Sequence, residues 1–156
     1  MLRAMTLLDA PQYDPARARA RTVKIVGSIV VVLIVATTVW LNRYWPEKRV
    51  ANKFFSALQK KDYETAYGLY FSDPQWKQNP GAHALYPYNE FYRDWGPGGE
   101  WGVINNYEIF WMGNCPRSGS GVIADVVVNK RAEHAQIYID KHDHTLSSVP
   151  CDIEVR

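Results

Sequence analysis

The stretch IVGSIVVVLIVATTVWLN, residues 25–42, decides the class of this protein. It holds 18 consecutive residues without a charge, and most of them are Val, Ile or Leu. A helix rises about 1.5 Å per residue, so this run reaches about 27 Å, which is close to the thickness of a bilayer's hydrocarbon core. The run therefore predicts a transmembrane helix, which we place at residues 23–45 of the 156-residue chain.

The residues at the two ends of the run fit the borders of a bilayer. Lys24 precedes it and Arg43 follows it, where long basic side chains can extend their charges toward water. Trp40, Tyr44 and Trp45 cluster at the second end, as an interfacial aromatic belt does. We expect these five residues to lie at the membrane interface.

Two other interpretations of the run are a buried strand or core helix and a cleaved signal peptide. Eighteen uncharged residues exceed the usual length of a strand. A signal peptide needs small residues spaced A-x-A after its apolar run, and Trp40 fits that site poorly. An uncleaved anchor is therefore favoured.

The flanking charges are nearly balanced, so orientation depends on the lengths of the flanking segments. Residues 1–22 form a short basic tail, whereas large C-terminal domains are translocated largely regardless of charge. We expect the tail in the cytoplasm and residues 46–156 outside. For a bacterium this means a single-pass protein of the cell inner membrane with a periplasmic domain.

The segment after the anchor is long enough for one compact core and carries a net charge of −2. Such a domain has no electrostatic basis for binding nucleic acid. Its pattern predicts helices first and strands afterwards, which is typical of an α+β fold with an antiparallel meander. The predicted helices begin at Pro46, after Asp62 as N-cap and at Asn89, and the predicted strands are Val103 to Met112, Val122 to Asn129, Ala135 to Asp140 and Leu146 to Val155.

The stretch FFSALQKKDYETAY, residues 54–67, resembles the opening of the NTF2-like (cystatin-like) superfamily, whose extracytoplasmic members often begin FF-x-A-L-x-x-x-D-Y-x-x-A-Y. The resemblance implies a cone of about three helices packed on a curved, antiparallel, four-stranded sheet. The superfamily includes isomerases, dehydratases, binding modules and assembly subunits, so the resemblance leaves the function open.

Cys115 and Cys151 are the only cysteines, and both fall in the domain that we place outside, where disulfides persist. We predict a disulfide between them; the alternative is two buried, unpaired thiols. Because they lack Cys-x-x-Cys spacing, a redox role is not expected.

Three histidines form the most metal-like cluster of the chain. His142 and His144 would share one face of a strand, and His134 would approach from the preceding turn. The alternative is a polar hairpin turn around Asp143. No cofactor motif accompanies the histidines, and we expect no cofactor.

Aromatic residues are dense between the second helix and the first strand, where they form either a ligand pocket or a core and interface. The candidates are Tyr86, Tyr88, Phe91, Tyr92, Trp95 and Trp101. A catalytic domain would need an inward-facing acid or base, and the available carboxylates are Glu90, Asp94, Glu108 and Asp125. No motif assigns a role to any of these four carboxylates, so we do not expect an enzyme.

Together these observations predict a single-pass membrane protein with a protein-binding NTF2-like domain. It would act as an accessory or assembly subunit of a membrane protein complex, with the bilayer and the other subunits as partners. The alternative is a membrane-tethered domain that binds a small ligand or acts as an isomerase-like or hydrolase-like enzyme.

Overall fold

A computed structural model describes residues 15–115 and 120–151, and the chain divides into two units, residues 1–42 and 43–156. The described helices are α1 (Pro15–Leu41), α2 (Trp45–Gln59), α3 (Tyr63–Tyr70) and α4 (Tyr88–Trp95), with short 3-10 turns at Trp76–Gln78 and Pro80–His83. The strands are β1 (Tyr107–Asn114), β2 (Gly121–Val128), β3 (His134–Asp140) and β4 (Leu146–Ser147).

The first unit contains α1, a helix of 27 residues that extends about 40 Å. Among the described residues it is the one helix long and apolar enough to cross a membrane, judged by length and composition. Ser28 and Thr38 donate their hydroxyl hydrogens to the carbonyls of Lys24 and Ile34, at 2.9 and 2.8 Å. These two polar side chains are thus satisfied within the helix itself.

The bounds of α1 differ from those of the predicted tail, residues 1–22, and of the predicted transmembrane helix, residues 23–45. The helix begins at Pro15, inside the predicted basic tail, because proline suits a first helical turn and the Ala/Arg alternation that follows favours a helix. It ends at Leu41, and Trp45 already opens α2 of the second unit. Residues 1–14 of the predicted tail lie outside the described residues.

The helices of the second unit form where the pattern predicts them. Pro46 lies in the first turn of α2, whose buried face carries Ala51, Phe54, Phe55 and Leu58. The Asp62 carboxylate accepts a hydrogen bond from the Thr65 amide, which confirms Asp62 as the N-cap of α3. The third predicted helix is also confirmed, as α4.

The sheet is an open, four-stranded antiparallel meander in the order β1-β2-β3-β4, so the α+β fold class is confirmed. Its first strand begins at Tyr107, four residues later than predicted. The Asn129 side chain accepts hydrogen bonds from the amides of Asn105 and Asn106 and donates to the Val103 carbonyl. These bonds hold residues 103–106 outside the ladder.

The last strand is far shorter than the predicted Leu146 to Val155. Within residues 146–151, the part of this segment that the structure describes, only Leu146 and Ser147 pair with β3. Pro150 has no amide hydrogen to donate to a ladder, and Cys151 forms a disulfide with Cys115. Residues 152–156 lie outside the described residues.

The core lies between the helices and one face of the sheet. Ala124, Val126, Ile137 and Ile139 point to this side, where they belong to one buried cluster with the α2 residue Phe55. Strand residues alternate between faces, so the opposite face carries the intervening residues. We call it the outer face; it presents Trp111, Gly113, Ile123, Asp125, His134, Gln136 and Tyr138.

Candidate functional site

The predicted aromatic residues mostly fill space between the helices. Phe91 is wholly buried and its ring contacts those of Phe54 and Tyr67, at centroid distances of 6.2 and 5.3 Å. Trp95 meets Phe54 edge to face at 5.1 Å, and Trp101 is nearly buried in the same cluster. These residues are therefore packed as a core, while Tyr86 and Tyr88 are half-buried and Tyr92 is 43% exposed.

Two tyrosine hydroxyls fix the segment that enters α4. Tyr67 donates a hydrogen bond to the Tyr86 carbonyl at 2.8 Å, and Tyr86 donates to the Asp94 carboxylate at 2.9 Å. Burial, followed by the Asp94 carboxylate, raises the pKa of Tyr86 well above its usual value. The phenol therefore stays neutral and acts here as a hydrogen-bond donor.

A groove runs between α3 and residues 72–78, with a volume of about 570 Å³. Its walls include Glu64, Leu69, Trp76 and Lys77. Gly68 permits the close approach of the two walls, because a Cβ there would lie 3.0 Å from the Asp73 carbonyl oxygen. Sequence reasoning missed this groove, since neither wall has a distinctive motif.

On the outer face of the sheet, the buried carboxylate of Asp125 is hydrogen-bonded to His134. Asp125 is only 1% exposed, and its carboxylate lies 2.9 Å from His134 Nδ1 and accepts a longer bond, 3.5 Å, from the Gln136 amide. Of the four carboxylates available to an enzyme, Asp125 is the buried one. It is also the one charge inside the Val-rich strand β2, a signal that the sequence does carry.

Two exposed aromatic side chains lie beside this pair. Between Ile109 and Trp111 the register of β1 shifts by one residue, so that Phe110 is bulged out of the ladder. Phe110 is 65% exposed with its ring 5.2 Å from that of His134, and Trp111 is 44% exposed opposite Asp125. We call Phe110 and Trp111 the aromatic pair.

The three candidate metal-binding histidines are not brought together. His134 opens β3, whereas His142 and His144 lie in the turn beyond its other end, about 20 Å along the strand. Within residues 15–115 and 120–151, no group of three His, Cys, Asp or Glu side chains is arranged to hold a metal. The turn is organised by Asp143, whose pKa is lowered by hydrogen bonds from the Thr145 amide and hydroxyl.

A disulfide joins Cys115 to Cys151, with the Cα atoms 6.2 Å apart. Cys115 is buried against Ile123 and Tyr138, and Val149 packs on the same cluster. The bond therefore ties the segment after β4 to the end of β1 and covers one end of the outer face.

The predicted interface residues divide between the two units. Lys24 and Trp40 belong to α1 and are exposed. In the second unit the Arg43 guanidinium lies 4.6 Å from the centre of the Tyr44 ring, and Arg49 stands at the same distance over Trp45. Such pairs combine an aromatic surface with fixed positive charge.

Comparison with family models, with curated proteins and with solved structures gives no match to this chain.

Proposed function

We propose that this chain is a single-pass membrane protein whose NTF2-like domain binds other proteins, as an accessory or assembly subunit of a membrane complex. The observation that carries the proposal is the aromatic pair, Phe110 and Trp111. Large aromatic side chains anchor protein interfaces, and here a β-bulge holds two of them exposed on the outer face of the sheet.

The anchor is supported by α1. None of the residues of its uncharged segment is buried within the unit, so a bilayer would bury side chains that the unit itself does not. The tail, with Arg17, Arg19 and Arg21, would remain in the cytoplasm and the second unit would lie in the periplasm. The order of helices before an antiparallel meander, together with residues 54–67, supports the NTF2-like assignment.

The burial of Asp125 argues against this carboxylate as a general base. Both of its oxygens have partners on β3, and the residue is buried beneath its neighbours. A general base must reach its substrate within hydrogen-bond distance, and this carboxylate is not accessible to one. Asp125 instead holds His134, against which the Phe110 ring packs.

Site-specific photocrosslinking tests the proposal. A benzophenone amino acid at position 110, in cells that express the full chain, should give a discrete adduct with one or two proteins. The same group at Leu85, which is fully exposed on another segment, is the matched control and should give none. Equal, diffuse labelling from both positions would refute an interface at the aromatic pair.

A further inference from the structure

The groove between α3 and residues 72–78 already holds a positive group of the protein itself, the Lys77 ammonium. The Lys77 ammonium lies 5.6 Å from the centre of the Trp76 ring and forms an ion pair with the Glu64 carboxylate. The Trp76 ring also stacks on Tyr88, at 5.2 Å with an interplanar angle of 21°. An aromatic ring and a carboxylate thus converge on one positive group.

The ion pair between Lys77 and Glu64 is of a weak kind, so another cation can displace the Lys77 ammonium. The side chains of Lys77 and Glu64 are both more than half exposed, and exposed ion pairs contribute little to stability. Lys77 and Glu64 are also the two charged residues among the described groove walls. If Lys77 swings into solvent, the groove keeps an aromatic ring, one carboxylate and a net charge of −1.

We propose that this groove is a receptor for a cationic side chain, an exposed arginine or lysine of a partner protein, that replaces Lys77 on Trp76 and Glu64. The inference rests on the proposed function and names the chemistry of a partner residue. An arginine fits best, because its flat guanidinium stacks on an aromatic ring while it pairs with a carboxylate. The polar side chains of Gln75, Gln78 and Thr65 lie along the same walls to accept its remaining N–H groups.

The test is an NMR titration of the full chain in detergent micelles with tryptophan labelled at the indole nitrogen. The probe is the peptide acetyl-Gly-Arg-Gly-amide, and acetyl-Gly-norleucine-Gly-amide is the uncharged comparison. Trp76→Phe identifies the Trp76 signal among the six tryptophans. We expect the arginine peptide, and not the norleucine peptide, to shift that signal.

Two variants of the exposed ion pair complete the test without disturbing the core. Lys77→Met removes the resident cation and should tighten binding of the arginine peptide at least threefold. Glu64→Gln should weaken it at least threefold, whereas Glu133→Gln, an exposed carboxylate elsewhere, should leave it unchanged.

No shift with the arginine peptide, equal shifts with both peptides, or unchanged affinity in Glu64→Gln would overturn the inference. A partner that still crosslinks to position 110 under any of these results would leave the proposed function intact. The two failures are therefore distinguishable.

Discussion

The disulfide is predicted to supply a large share of the stability of the second unit. Cys115 and Cys151 are 36 positions apart, so their bond closes a loop of that length in the unfolded chain. On the chain-entropy model such a loop is worth about 4 kcal/mol. That value is comparable to the whole stability of a marginal domain, which spans about 5–15 kcal/mol.

Urea unfolding of the full chain in a non-ionic detergent, followed by tryptophan fluorescence, measures this contribution. With a urea slope of about 1.5 kcal/mol per molar, reduction should lower the midpoint by about 2–3 M. The double variant Cys115→Ala, Cys151→Ala should unfold near the reduced midpoint and should not respond to reductant. A change below about 1 kcal/mol on reduction, with both thiols shown to be free, would refute the reasoning.

Four further predictions concern single side chains. Gly99→Ala should destabilise the second unit by about 1–3 kcal/mol, because its Cβ would overlap the Asp94 carbonyl, while Gly98→Ala, which meets open space, should be nearly neutral in the same urea assay. Asp62→Ala should cost about 1 kcal/mol at pH 7. Because the Thr65 hydrogen bonds lower the pKa of Asp62, this contribution is present above the ordinary aspartate pKa and is lost as pH falls through the lowered one, so the wild type should lose more stability than the variant below pH 4. Asp125→Ala should cost about 1–3 kcal/mol by leaving His134 without its acceptor, and Asp125→Asn should cost less. Val32→Arg, at the middle of the proposed anchor, should cost about 2.5–3.5 kcal/mol of insertion free energy and release the chain from carbonate-washed membranes, whereas Val32→Leu should remain bound.

The elements that follow strong local rules were predictable from the sequence. The uncharged run, the Asp62 cap and the Pro46 start each depend on a few neighbouring residues. Each belongs to a helix as expected, although α1 begins and ends earlier than the predicted residues 23–45. The meander was also predictable, because the links between the apolar runs are short. Such links permit antiparallel pairing but cannot make the long crossover that parallel strands need.

The differences arise where distant residues compete with local pattern. The residues after Gly102 suggest an early strand, but the side chain of Asn129, which directly follows β2, hydrogen-bonds to the backbone of Val103 and Asn105. The run after Leu146 suggests a long strand, but Pro150 and the disulfide redirect it. His134 and His142 are close in sequence, yet an extended strand keeps them apart.

The candidate site was less visible than the fold. Asp125 is conspicuous as a charge inside a Val-rich strand, but only the register shows that it faces away from the helices. The bulge at Phe110 has no glycine or proline to mark it, so the exposure of the aromatic pair follows from strand pairing alone. The groove at Trp76 has one wall from α3 and the other from residues 72–78, so it forms only when that loop folds against the helix.

The native size of the tagged full chain after mild detergent extraction, with mass spectrometry of the proteins that co-migrate, tests the central claim most directly. The proposed function predicts stoichiometric co-migration in a large membrane assembly, and loss of that assembly in the variant Phe110→Ser, Trp111→Ser. Migration of the wild type as a monomer or small homo-oligomer without a partner would contradict it.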